Sequence, residues 1–254
     1  MFTIAPTNII SVVFRKSPAH IHVDHLRTTR QSERIQRCSH GCRYCYCPAI
    51  LRKKIDEWSA HPTPRKDILC LLEKDARKMK SDTREILLSF MSDPYHSDEA
   101  AVLTREALLI LEKYELWVQI LTKGGLRSVC DFDILARNRW KYSATIIFSD
   151  DALRKEWEPH AAPIDERMAT VREAYRRGIE TWVSVEPVVS PSQALAVMSQ
   201  LKDNVDLWKV GKLNHNKERE AAIDWTQFLF DVEKILEGEN VMIKKDLEKF
   251  RPKT

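Results

Sequence analysis

Cys38-Ser39-His40-Gly41-Cys42-Arg43-Tyr44-Cys45-Tyr46-Cys47-Pro48 carries four of the chain's six cysteines. Cys38, Cys42 and Cys45 fall at C-x3-C-x2-C spacing, and Cys47 follows two residues on. Three thiolates on one short loop can each hold one iron of a [4Fe–4S] cube, because thiolate is the ligand such clusters require. A fourth iron then lacks a protein ligand and is open to a substrate. Gly41 allows the backbone to turn tightly against the metal. Zinc is the competing reading, since His40 and the four cysteines supply enough ligands. A structural zinc usually takes two separated ligand pairs, however, and no second C-x2-C or H-x3-H follows. Buried, unligated thiols are a poor account of four cysteines in so hydrophilic a segment.

The setting of this loop narrows the class. A chain of 254 residues makes one or two domains, and α/β barrels run to about 250 residues as one. The formal net charge is +4 and the pI about 8.7. This mild excess permits a nucleic-acid partner without demanding one. The excess is concentrated in residues 27–54, where Arg27, Arg30, Arg34, Arg37, Arg43, Arg52, Lys53 and Lys54 are set against only Glu33. No run reaches the roughly eighteen apolar residues of a membrane helix. The apolar stretch 9–14 has no basic flank or small-residue cleavage site. Clustered cysteines in such a chain point to metal or redox chemistry and to a soluble, reducing, cytoplasmic location without a membrane partner. Residues 1–33 read as an N-terminal extension, with a strand over 9–14 and a polar arm bearing His20, His22 and His25. A surface arm is the better account of these histidines than a metal site. Residues 34–254 read as the main domain.

Periodicity supplies the fold. Helices are expected over 48–58, 67–80, 99–114, 129–138, 164–177, 192–201 and 224–236 from apolar positions at helical spacing. Cys70 is expected in the core and Cys130 within a helix. Gly178 is a natural C-terminal stop, and Pro191 precedes the helix start. Short apolar runs over 86–91, 116–122, 142–148, 181–185, 205–210 and 241–244 read as strands. Strands alternating with helices imply βαβ units and a parallel sheet. With a strand leading into Cys38, six such units make an α/β partial (βα)6 TIM-like barrel with parallel strands.

In such folds the ligand sits at the carboxyl ends of the strands. After the cysteine loop those ends read Ser92-Asp93-Pro94-Tyr95, Thr122-Lys123-Gly124-Gly125, Ser149-Asp150-Asp151, Glu186-Pro187 and Gly211-Lys212-Leu213-Asn214. Taken singly, each has an ordinary account. Ser149, Asp150 and Asp151 can cap the next helix, Lys123 can be a solvated lysine, and Glu158 and Arg167 can form a surface salt bridge of little worth. As a ring on the rim that carries the cysteines, they form a candidate binding site.

The cysteine motif, with an aromatic residue just before its third cysteine, resembles that of the radical S-adenosylmethionine (radical SAM) superfamily. Ser92-Asp93-Pro94, Thr122-Lys123, Ser149 and Glu186-Pro187 are similar to the spore-photoproduct-lyase-like branch, often described as DNA repair photolyase-like. The resemblance covers residues 34 to the C-terminus. It implies that Cys38, Cys42 and Cys45 ligate a [4Fe–4S] cluster and that S-adenosylmethionine docks on the open iron. Tyr44 would lie near the adenine, and Ser92, Lys123 and Ser149 would contact the cofactor, with Asp93 and Glu186 as further pocket residues. It implies reductive cleavage to a 5′-deoxyadenosyl radical, fed by a one-electron reductant such as a flavodoxin or ferredoxin, with DNA or RNA as the first expected substrate and a peptide or small metabolite as the competing class. Tyr44 and Tyr46 occupy the places of a tyrosine radical relay. The lyase's hydrogen-donating cysteine, two residues before the serine, is replaced here by Phe90, and Cys47 is the substitute candidate. On the residues alone, two alternatives stay open: a zinc-stabilised nucleic-acid-binding module, and an iron–sulfur electron-transfer or sensing protein.

Overall fold

The computed structural model of the chain describes residues 12–13, 38–50, 52–60, 62, 66–88, 92–214 and 216–252. Its short apolar runs pair into one seven-stranded sheet whose neighbours follow sequence order. The strands are β1 (Val12–Val13), β2 (Glu85–Leu88), β3 (Trp117–Thr122), β4 (Lys141–Thr145), β5 (Thr181–Val188), β6 (Leu207–Lys212) and β7 (Val241–Ile243). β2 to β7 are six parallel strands, each moved one place along by a connection of the same kind. That is the pattern of right-handed crossovers curling a sheet toward a barrel. β1 pairs antiparallel with β2, Val12 opposite Leu88. The expected six parallel strands are present, but the sixth is β7. A strand leading into Cys38, the three histidines of the arm and Phe90 lie outside the described residues.

The helices are α1 (Cys47–Ile50), α2 (Ile55–Ser59), α3 (Ile68–Lys78), α4 (Asp98–Lys113), α5 (Phe132–Asn138), α6 (Asp151–Trp157), α7 (Ile164–Arg176), α8 (Pro191–Leu201), α9 (Lys217–Ala221), α10 (Trp225–Ile235) and α11 (Lys245–Glu248). α4 shows how sequence places them. The Ser97 hydroxyl accepts the Ala100 amide at 3.2 Å, Asp98 and Glu99 occupy the first turn, and Lys113 the last. These choices satisfy the amide ends and complement the helix dipole. Ala100, Thr104, Ala107, Leu108 and Leu111 form the stripe buried on the sheet. The core lies between the helices and the outer sheet face, with Val183, Val210, Trp208 and Val171 fully enclosed.

Three expectations need correction. Residues 48–58 form two helices, α1 and α2, because Arg52 adopts φ 54° and breaks the ladder. Residues 125–131 form a 3-10 helix that holds Cys130, and the α-helix starts only at Phe132. Cys70 is exposed on the outer side of α3, where Ile68 and Ala76 take the buried positions. α6, α9 and α11 are too short to show an apolar stripe. The one local signal for α6 was its cap: Asp150 accepts the Ala152 amide at 2.6 Å.

Candidate active site

The inner sheet face and the cysteine loop enclose a cavity of about 620 Å3. Cys38, Cys42, Cys45 and Cys47 line it, together with Tyr44, Tyr46, Ser92, Asp93, Lys123 and Glu186. All six cysteines are free thiols. Gly41 takes φ 63° at the tightest turn of the loop. Gly124 lets the end of β3 tuck beneath the 92–95 turn, since a Cβ there would stand 2.5 Å from Tyr95.

Asp93 ties this end of the barrel together. Its carboxylate accepts the Tyr95 amide (2.8 Å), the Thr122 hydroxyl (2.6 Å) and the Lys123 amide (2.6 Å), and lies 3.1 Å from His40 Nε2. Burial pushes this carboxyl up, but His40, the Thr122 hydroxyl and the Lys123 amide more than offset it and hold it well below the usual range. His40 is therefore a buried strut of the loop, 1 % exposed, rather than a solvent-facing ligand. Among the described residues, no three His, Cys, Asp or Glu side chains converge on one metal ion. A tetrahedral zinc needs such convergence, whereas an iron–sulfur cube takes each thiolate on a separate iron.

The electrostatics fit a polynuclear cationic group. Burial pushes the Cys38 thiol well up, and Asp93 adds to it. Burial also pushes Cys42 up to about 12 against the pull of Lys123. Cys45 is drawn down to about 7 by a hydrogen bond with Cys47, against burial. Several thiolates in so dry a site call for bound metal cations to balance them. Burial works against the Lys123 ammonium, but Cys42, Glu158 and Asp93 outweigh it and raise its pKa. The lysine is thus charged and sits 5.7 Å from the Tyr44 ring centroid.

The loop at 157–162, which carried only a weak signal in the sequence, is the other half of the site. Backbone bonds lace it to the cysteine motif and to β3: Arg43 N to Trp157 O (2.8 Å), His160 N to His40 O (3.2 Å) and Ala162 N to Lys123 O (3.0 Å). Arg154 Nη1 donates to the carbonyls of Glu158, Pro159 and Ala161. Glu158 and Arg167 do pair, at 2.6 Å, but both are 0 % exposed. The expected surface bridge is a buried one. The Tyr44 hydroxyl donates to the same carboxylate. Burial pushes Glu158 up, yet Arg167 and Lys123 together hold it down as an anion. Tyr44 is raised by burial and by Glu158, so its phenol keeps the proton.

The remaining expected site residues divide. Ser92 and Glu186 reach the cavity wall, and Glu186 pairs with Lys244 at 3.2 Å. Tyr46 stands at the mouth, 39 % exposed. Ser149 is outside the lining: its amide and hydroxyl both bond Gln193 Oε1, at 2.9 and 2.8 Å. β4 ends at Thr145, and Thr145 is the residue at that end which faces the cavity.

His96 anchors the loop from below, with Nδ1 3.1 Å from Ser39 Oγ. Burial holds its imidazole down, from 6.5 to about 4. On acidification the unfolded chain takes this proton first. Stability is therefore expected to fall from about pH 6.5 to about pH 4, then level off, losing about 3 kcal/mol through this residue. Urea denaturation across this range checks it, and His96→Gln is expected to flatten the slope.

The radical SAM superfamily model matches residues 32–196, more than half of the chain, and the chain belongs to that superfamily. Enzymes of this superfamily use a [4Fe–4S] cluster and S-adenosylmethionine and need a reductant. Solved structures share its fold. Streptococcus suis SuiB bound to S-adenosylmethionine is 15% identical with a TM-score of 0.60, covering 85% of this chain and 50% of its own. SuiB bound to the precursor peptide SuiA is 14% identical with a TM-score of 0.59, covering 85% and 48%. Spore photoproduct lyase complexed with dinucleoside spore photoproduct is 14% identical with a TM-score of 0.59, covering 82% and 75%. The chain thus spans about half the length of SuiB and three quarters of the lyase. No curated protein matches it in sequence.

Proposed function

We propose that this enzyme generates its radical at the mouth of the barrel cavity and directs it at nucleic acid. The carrying observation is that the three motif thiols, Tyr44 and the Lys123 ammonium share one dry cavity wall. A bound cluster would supply the one electron that breaks the carbon–sulfur bond of S-adenosylmethionine, giving methionine and a 5′-deoxyadenosyl radical. Cys38, Cys42 and Cys45 hold the metal. Lys123 neutralises the cofactor's carboxylate, Tyr44 bounds the adenine, and Ser92, Asp93 and Glu186 complete the pocket. The apolar barrel walls keep water from the reacting atoms.

Nucleic acid is favoured by the basic run at 27–54 and by the fold shared with a lyase bound to a dinucleoside lesion. Tyr46, at the mouth, and Cys47, the one non-ligating thiol of the motif on the cavity wall, take the catalytic roles beyond radical formation. Residues 34–254 act as the catalytic domain and 1–33 as an extension. Six free thiols suit a reducing, cytoplasmic setting, and no described helix is long and apolar enough to cross a membrane. A peptide substrate is the second reading, favoured by the fold shared with SuiB bound to its precursor peptide.

Anaerobic, dithionite-reduced protein with S-adenosylmethionine is the test, alone and with DNA, RNA or peptide. DNA or RNA is expected to stimulate 5′-deoxyadenosine formation, with a stimulation that falls as salt rises. Stimulation by peptide alone would overturn the nucleic-acid assignment. Lys123→Met is expected to raise the KM for S-adenosylmethionine about tenfold or more by removing a charge-assisted contact. An unchanged KM would remove Lys123 from the pocket.

A further inference from the structure

The upper end of β5 departs from regular pairing at one place. Val185 pairs with Val210 and Val188 with Lys212, so Glu186 and Pro187 together stand opposite Gly211. Two residues facing one make a bulge, a device that bends a strand and re-aims a side chain. Glu186 is aimed across the neighbouring β6. A Cβ on Gly211 would stand 2.7 Å from both Cδ and Oε1 of Glu186 and 2.9 Å from its Cγ. Side chains do not approach so closely, so any other residue at 211 would displace the carboxylate.

The second oxygen is held from the next strand. Lys244 directly follows β7, and its amide donates to Val210 O at 2.8 Å, which fixes it beside β6. Its ammonium meets Glu186 Oε2 at 3.2 Å. The carboxylate of a β5 residue thus reaches over β6 to a lysine at the end of β7. Bulge, glycine and lysine converge on one side chain. An ion pair that served charge balance alone would need neither the bulge nor the glycine. Glu186 and Lys244 both line the cavity, and the Glu186 side chain keeps 35 % of its surface exposed. A carboxylate offers about four acceptor sites, so the lysine leaves room for a ligand's donor groups.

We propose that Gly211 and Lys244 are positioning residues, which hold the Glu186 carboxylate against the β6 wall as an acceptor for donor groups of S-adenosylmethionine. The ligand rests on the placement of Glu186 in the cofactor pocket above; the roles of Gly211 and Lys244 go beyond it.

The test is equilibrium binding of S-adenosylmethionine to full-length, reconstituted protein, read beside iron content and melting temperature. Glu186→Ala is expected to weaken binding about tenfold or more, by removing hydrogen bonds to a charged acceptor. Gly211→Ala is expected to weaken it about threefold to tenfold. In the Glu186→Ala background the same change is expected to add nothing, because the group it displaces is gone. The melting temperature lost by Gly211→Ala is expected to be smaller there for the same reason. Lys244→Met is expected to follow this pattern in binding, and Lys244→Arg to restore it. Iron content is expected to stay at the wild-type level throughout. A glycine required only by the backbone of β6 would cost as much with alanine at 186 as with glutamate. Full additivity of Gly211→Ala with Glu186→Ala, or wild-type binding by either Gly211→Ala or Lys244→Met, would overturn the positioning roles while Glu186 keeps its place. Should Gly211→Ala fail to fold, the Lys244 variants decide in the same way. Wild-type affinity in Glu186→Ala would instead remove Glu186 from the cofactor pocket, and the positioning with it.

Discussion

Replacing any one of Cys38, Cys42 or Cys45 by alanine is expected to collapse the iron and sulfide content from about four of each per chain and to bring 5′-deoxyadenosine formation to background. The reason lies in the geometry of the cavity. Burial penalises the Cys38 and Cys42 thiolates, so bound metal cations are needed to balance them. Losing one leaves an iron without a protein ligand and a second labile corner. Cys47 differs: it starts α1, is 2 % exposed and bonds Cys45. Cys47→Ala is therefore expected to keep the iron while losing turnover to product. Iron, sulfide and zinc analysis of the four variants beside wild type is the check. A single zinc in wild type, or a Cys38→Ala protein that holds four irons and still cleaves S-adenosylmethionine, would end the assignment.

Arg167→Met should give the largest loss of stability. The guanidinium is fully enclosed with Glu158, and it also holds the carbonyls of Ala162 (2.8 Å) and Thr145 (3.0 Å). Its removal strands a buried carboxylate, for which about 3–5 kcal/mol is the usual cost. For a chain of this size that is a fall in melting temperature of about 10 °C. The triple variant Tyr44→Phe, Glu158→Leu, Arg167→Met removes the charge, its partner and the phenol together. It is expected to recover most of the loss, because an apolar substitute of similar volume can match a buried pair. Its KM for S-adenosylmethionine should still rise, since the ring of residue 44 is then unanchored. Melting temperatures equal to wild type for Arg167→Met would show that the pair is hydrated and of little consequence.

The sequence carried the barrel through its alternation of short apolar runs and amphipathic stretches, and the metal site through cysteine spacing. Both are local patterns with a fixed period or offset. Glu158 and Arg167 were visible only as a possible pair nine residues apart, because burial is decided by what α7 and the 157–162 loop pack against. Ser149 was placed on the rim by counting from the end of an apolar run. The run 146–148 is buried, yet the ladder stops at Thr145, so the count overshot. Cys70 failed for a related reason: an apolar residue type does not decide which face of α3 it occupies.

Asp93 has a consequence for every assay built on this site. One carboxylate grips the His40 imidazole, which stiffens the cysteine turn, and the amide of Lys123, the residue proposed to meet the cofactor. On the proposed assignment, metal loading and cofactor capture share a fulcrum. Iron insertion that steadies the 38–45 turn should also steady Lys123, so affinity for S-adenosylmethionine is expected to rise as the metal is loaded, in that sequence.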